Sequence, residues 1–217
     1  MHCSIVPQKS AVRDLGVIMS EDLKVRRHCT DICRRSFYKL RQFNLAFSCR
    51  DTDFQLDTFK TYVRPLLEYN TPIWSPHLIS DIDLIERVQR WFTKRLPGLW
   101  NESYAQRLQT LDLESLEVRR IKNDLILLFK IVKHLIDLNS EDFFTFNRNN
   151  TRGHSCKINI GYSRLNCRKY FFINRTAPIW NALPQSAVDS TTVEAFRNNL
   201  NSVDLTNYCR GRAHTAA

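Results

Sequence analysis

Glycine and proline are scarce, with 5 and 7 in 217 residues. So little turn punctuation argues against a many-stranded sandwich and for helices. No apolar run approaches the roughly 18 residues that a membrane-spanning helix requires. The opening residues, Met1-His2-Cys3-Ser4-Ile5-Val6-Pro7, lack the charged and apolar regions of a secretory signal. The 7 cysteines are odd in number, scattered and without a paired CxxC spacing. They read as reduced thiols in an intracellular compartment, nuclear or cytoplasmic. Also missing are a Gly-rich phosphate loop, a Gly-x-Ser-x-Gly nucleophile motif and any Asp-Asp pair.

What is present is a core and a surplus of positive charge. Hydrophobic residues make up 43% of the chain and aromatics 11%, enough to fold. The net charge of +10, with pI near 9.5, points to a polyanionic partner and leaves the fold open.

Short β-branched stretches at Ser4–Val6 and Val12–Ile18, broken by Pro7 and Gly16, predict one or two strands. From about Lys24 to Asn44 the period becomes helical, with Cys29, Ile32, Cys33, Ser36, Phe37, Leu40 and Phe43 on one stripe. A second helix is expected from about Asp53 to Tyr69, bent or ended by Pro65. A third opens at a capping-box-like Ser80/Asp83 and stops near Pro97-Gly98. A short helix follows over Ser103–Gln109. The longest pattern runs from about Leu113 to Leu138, with Leu125, Leu128, Phe129, Val132, Leu135 and Ile136 inward. Residues 139–152 read as a linker. Residues 156–180 fit either a hairpin or a helix from Arg168 onward, and Thr191/Glu194 caps a last helix through Phe196, Leu200 and Val203. Trp74, Trp91 and Trp180, each among apolar neighbours, read as core anchors.

The basic residues are patterned. Arg27, Arg34 and Arg41 recur every seven residues along the first helix, with Arg26, Arg35 and Lys39 nearby and Asp31 as the one acid among them. Arg87, Arg90 and Lys94 share a face of the third helix, next to Arg95. The segment 143–188 holds Arg148, Arg152, Lys157, Arg164, Arg168, Lys169 and Arg175 without a single Asp or Glu. With Tyr162, Tyr170, Phe171 and Phe172 interleaved, these faces predict contacts to phosphate and stacking on bases, indifferent to sequence. The carboxylate pairs Asp51/Asp53 and Asp81/Asp83 fall at predicted helix starts and read as caps, in preference to Mg²⁺ sites. His28/Cys29/Cys33 and His154/Cys156/Cys167 lack the spacing of a zinc site. His154 is read as a structural histidine bonded to the backbone.

An ordered series of motifs resembles one family. Asp14-Leu15-Gly16-Val17, with Leu23 and His28, is followed by Tyr62-Val63-Arg64-Pro65-Leu66-Leu67-Glu68-Tyr69 and Pro72-Ile73-Trp74-Ser75-Pro76. Next come Ile85-Glu86-Arg87-Val88-Gln89-Arg90, Thr93-Lys94, Pro97-Gly98, Ser103-Tyr104, Arg107-Leu108, Leu113, Ser115-Leu116-Glu117 and Arg119-Arg120. Arg152-Gly153-His154-Ser155, Ser163-Arg164, Arg168-Lys169-Tyr170-Phe171-Phe172, Arg175 and Trp180-Asn181-Ala182-Leu183-Pro184 complete it. Over residues 11–205 the chain resembles the thumb and post-thumb region of non-LTR (LINE-type) retrotransposon reverse transcriptases of the CR1/jockey-like groups.

The resemblance implies a mainly α chain: the end of a palm with short strands at 1–22, a thumb-like helical bundle at 23–138, and a small basic α(+β) module at 153–205 beyond the linker. A disordered tail is expected at 206–217. It implies a grip on template–primer, whether RNA, DNA or RNA–DNA hybrid, or on target DNA. Arg27, Arg34, Arg35, Arg41, Arg87, Arg90, Lys94, Arg152, Lys157, Arg164, Arg168, Lys169 and Arg175 are the expected phosphate ligands. The family's Mg²⁺-holding aspartates would lie upstream, so no catalytic residue, metal or cofactor is expected in this chain alone, nor a membrane or small-molecule substrate. The chain would then be a truncated or decayed copy whose partner is the missing palm and fingers. Two rival readings are a structural fragment that only docks on a palm and an accessory subunit of an active polymerase.

Overall fold

A computed structural model describes residues 9–47, 49, 51–147 and 153–211. The chain is mainly α-helical, with one antiparallel hairpin near its N-terminus. Strands β1 (Ala11–Asp14) and β2 (Val17–Ser20) pair Arg13 with Ile18 and Asp14 with Val17. Their two-residue turn, Leu15-Gly16, has φ of 42° and 86°, the doubly positive geometry that suits the twist of a tight hairpin. Ser4–Val6 lies outside the described residues.

Helix α1 (Arg26–Ala46) turns its small and apolar stripe inward, burying His28, Cys29, Ile32, Cys33, Ser36 and Leu40. Helix α2 (Thr52–Thr58) is capped by Asp51, whose carboxylate accepts the Phe54 N–H at 2.9 Å. Pro65 does not stop the chain here. A π-helical turn at Phe59–Val63 passes the Arg64 N–H back to Phe59 O, and α3 (Arg64–Glu68) carries Pro65 in its first turn. Because Pro is tolerated where an N–H needs no partner, the π turn lets the helix run on. Asn70, at φ 56°, reverses the chain into α4 (Thr71–Trp74).

Helix α5 (Ile79–Thr93) starts from Leu78, not from a Ser80/Asp83 capping box. Asp81 is instead buried in an ion pair with Arg26 of α1, a tertiary use of an acid that sequence position had assigned to capping. Helix α6 (Tyr104–Thr110) opens with a true capping box, Ser103 with Gln106.

Helix α7 (Leu116–Val132) is the axis of the molecule. It is buried on nearly every side, as a helix packed between two cores must be. One core runs from Val17 to Leu116, and the other from Leu125 to Leu205. The two therefore divide inside α7, not at 139–152. Ser140–Asp142 form a 3-10 turn and Phe144 enters the second core, so the described part of the expected linker is packed structure. The long pattern also stops early: His134 at φ 52° ends it, and Leu135 is 47% exposed instead of inward.

The second half is completed by α8 (Asn166–Lys169), α9 (Phe172–Asn181), α10 (Gln185–Val188) and α11 (Val193–Asn201). The helical option for 156–180 holds from Asn166, and among the described residues the strand-like pairing there is the isolated bridge Phe146–Ile158. The last helix is capped by Thr192, one residue beyond the expected Thr191. Phe129 and Phe196 stack at 4.3 Å to join α7 to α11. Part of the expected tail docks: Glu117 accepts the backbone N–H groups of Arg210 at 2.8 Å and Gly211 at 3.0 Å, and residues 212–217 lie outside the described residues.

Candidate nucleic-acid interface

The α1 surface carries six Lys/Arg against one acid. Arg26 is taken by Asp81 of α5. Asp31 is shared by three guanidinium groups, those of Arg13 at 2.9 Å, Arg34 at 3.1 Å and Arg35 at 3.9 Å. Burial resists its charge, but hydrogen bonds from Arg13 and Arg34 outweigh this and hold its carboxyl below the usual carboxylate range. One carboxylate cannot neutralise three guanidinium groups, so a surplus remains. Arg27 reaches only the Ser10 hydroxyl at 3.4 Å, and no described acid lies within ion-pair distance of Arg27, Lys39 or Arg41.

Between α1 and α3 lies a hollow of about 370 Å³ lined by Arg34, Arg35, Tyr38, Lys39 and Leu66. A second hollow shares Arg35 and Leu66 and extends to Gly16 and Tyr69 of the hairpin side. Tyr38 is 63% exposed on its rim. The hairpin is held there by Tyr69, whose hydroxyl donates to Leu15 O at 3.2 Å. Its second anchor is buried His28, whose Nδ1 accepts the Ile18 N–H at 3.2 Å while its ring meets Trp74 edge-on at 4.7 Å. Burial lowers the His28 pKa from 6.5 to about 4, so the ring is neutral and able to accept.

The other predicted cations divide. Arg87 and Lys94 are exposed on α5, whereas Arg90 lies over the Tyr104 ring at 5.0 Å. Arg164 and Arg168 are exposed near α8, Lys157 is half-buried, and Lys169 is exposed at the edge of a hollow beside Tyr170. Arg152 lies outside the described residues. Arg175 is a correction: it is turned inward, bidentate to buried Asp124 at 2.8 and 3.1 Å, and donates to Pro72 O at 2.8 Å. Of the expected stacking aromatics, Tyr162 and Phe171 are exposed but Phe172 is core. Helix α1 packs on α3, α5 and β2 while α8 packs on α9, so the two basic groups stand on different halves.

Many residues of the motif series prove to be struts. Glu86 accepts the Tyr104 hydroxyl and the Leu116 N–H. Glu68 pairs with Arg119. His154 bonds Trp180 O at 2.9 Å through Nε2, the structural role expected of it. Asn181 brackets Ile158 through both its N–H and its C=O. Sequence reasoning missed these partners because each spans 18 to 51 residues, beyond any local pattern.

Burial pushes the Cys29, Cys33 and Cys209 thiols up to about 12, so none is a ready thiolate. Among the described residues, no group of three or more His, Cys, Asp or Glu gathers as a metal site, and no helix is long and apolar enough to cross a membrane.

No family model matches the chain. An uncharacterized protein of Caenorhabditis elegans is 26% identical over 113 residues, which cover 51% of this chain and 57% of that protein. The chain thus spans little more than half the length of the curated relative it matches. No solved structure matches it.

Proposed function

We propose that this chain grips nucleic acid through phosphate contacts, as the thumb and post-thumb part of a retrotransposon-type RNA-directed DNA polymerase whose catalytic palm lies outside it. The observation that carries the reading is the α1 surplus: Asp31 shared by Arg13, Arg34 and Arg35, with Arg27, Lys39 and Arg41 lacking an acid partner among the described residues. Uncompensated guanidinium groups in a row, beside an exposed Tyr38, suit a backbone of phosphates with bases close by. The ordered motif series supports the family reading, and on that reading the metal-holding aspartates belong to the palm. Mg²⁺ would belong to the palm of the parent protein.

A second reading is favoured by the hairpin, where Val12, Leu15 and Met19 are all exposed apolar residues. On that reading the N-terminal face docks against a palm and the charges serve the docking. The two separate in one experiment. Arg27→Ala/Arg34→Ala/Arg41→Ala removes three charges from α1 and should flatten the plot of log affinity against log salt by about 2–3 in slope, alike for unrelated sequences. An unchanged slope in a folded variant removes α1 from the contact surface and favours the docking role.

A further inference from the structure

Arg120 of α7 is 2% exposed, and neither Nη1 nor Nη2 has a hydrogen-bond partner among the described residues. Two buried Nη groups without acceptors are costly, because their four N–H donors leave water for nothing. The carboxylates around it are already engaged. Glu86 takes the Tyr104 hydroxyl and the Leu116 N–H, Glu117 takes the Arg210 and Gly211 N–H groups, and Asp124 takes Arg175. They offset the charge of Arg120 by their field, but none supplies it with an acceptor atom.

Arg120 forms part of the wall of a cavity of about 230 Å³ between α7, α9 and the docked C-terminal residues. That is smaller than the roughly 300–1,000 Å³ typical of sites for drug-sized ligands. Its lining holds four cations, Arg120, Lys169, Arg175 and Arg210, against two acids, Glu117 and Asp124. Arg175 is spent on Asp124, whereas Lys169 and Arg210 are solvent-exposed and flank the Tyr170 ring, Arg210 also donating to His77 O at 3.3 Å. Tyr170 in turn stacks on His77 at 4.1 Å.

We propose that this cavity binds a small oxyanion of the phosphate class, with the Arg120 guanidinium as inner ligand and Lys169 and Arg210 as its outer ligands. A planar fork matches two oxygens of a tetrahedral anion, and the surplus positive lining favours an anion over water alone. The site is distinct from the α1 surface and does not depend on its function. Its walls come from both halves of the molecule, so occupancy fastens the second core and the C-terminal segment to the first. The phosphate is either a free ion or the terminal group of a nucleotide strand.

Thermal unfolding of the whole chain, with inorganic phosphate replacing chloride at constant ionic strength, tests this. The midpoint should rise with the logarithm of phosphate concentration once Kd is exceeded, by about 5–10 °C at a hundredfold excess over Kd. Lys169→Ala/Arg210→Ala, changed only at exposed residues, should weaken phosphate at least about tenfold. Arg120→Gln should abolish the response, while Arg27→Ala/Arg34→Ala/Arg41→Ala should keep it. A 5′-phosphorylated dinucleotide that outcompetes inorganic phosphate identifies a strand terminus as the source, and the reverse order identifies the free ion. No phosphate-dependent shift in the wild-type chain, or an equal shift in the Lys169→Ala/Arg210→Ala protein, overturns the proposal.

Discussion

Acid should loosen the hairpin before it unfolds the bundle, and His28 is the reason. Its Nδ1 accepts the Ile18 N–H, which requires a neutral ring. Protonation converts that acceptor into a donor and places a charge against Trp74 in a buried site. Burial is the main cause of its lowered pKa; Asp31 opposes the effect, and Arg13 and Arg35 add to it. In the folded chain His28 takes a proton only near pH 4, whereas the unfolded chain takes it near 6.5. Between those values the unfolded state binds more protons, so the contribution of His28 is complete above about 6.5 and is lost as pH falls towards 4. The full shift corresponds to about 3 kcal/mol, of which about 2.5 kcal/mol is gone by pH 4.5. His28→Asn keeps an acceptor close to the backbone but cannot titrate. Urea unfolding of both proteins at about pH 7.5 and pH 4.5 should show the variant less stable at the higher pH, with a smaller loss on acidification. Amide exchange at Ile18 should accelerate in the wild-type chain over the same interval. Parallel losses in the two proteins, with Ile18 protected throughout, would refute the assignment.

Two further outcomes follow from the struts around α7. Arg175→Ala leaves Asp124 buried without its bidentate partner and should cost about 3–5 kcal/mol in chemical unfolding. The Arg175→Met/Asp124→Leu pair should recover much of that cost, and a single-variant loss below about 1 kcal/mol would mean the pair is not a strut. Gly211→Ala places a Cβ 2.6 Å from Ile82 Cγ2 and 2.9 Å from the Glu117 carboxylate. It should cost about 1–3 kcal/mol or release the C-terminal segment, read as lost exchange protection at the Arg210 and Gly211 amides.

Local pattern was enough for most of the helices. The stripe from Cys29 to Leu40, the cap at Asp51, and the buried face at Leu125, Leu128 and Phe129 are written at spacings of three and four, and the structure keeps them. What failed was whatever depended on distant partners. Asp81 looks like a cap but belongs to Arg26, 55 residues away. Arg175, counted among the surface cations, finds Asp124 at a separation of 51. Pro65 signals a bend or an end, and of the two the chain takes an irregular π turn before it that lets the helix continue. The boundary at 139–152 failed for a related reason. Asn and Ser enrichment marks a loop, but a loop that places Phe144 in a core is not a border between cores. In the interface, charge surplus was readable, because acids are either present in a segment or not. Which cations face solvent was not.

The most direct test of the central claim is the affinity of the purified, folded chain for an RNA–DNA hybrid and for duplex DNA across a salt series, followed by fluorescence anisotropy. The account predicts binding to both, with log affinity falling linearly against log salt at a slope that corresponds to about 3–8 phosphates. Absence of binding at about 50 mM salt would contradict it, and would leave the α1 cations as a docking surface for protein.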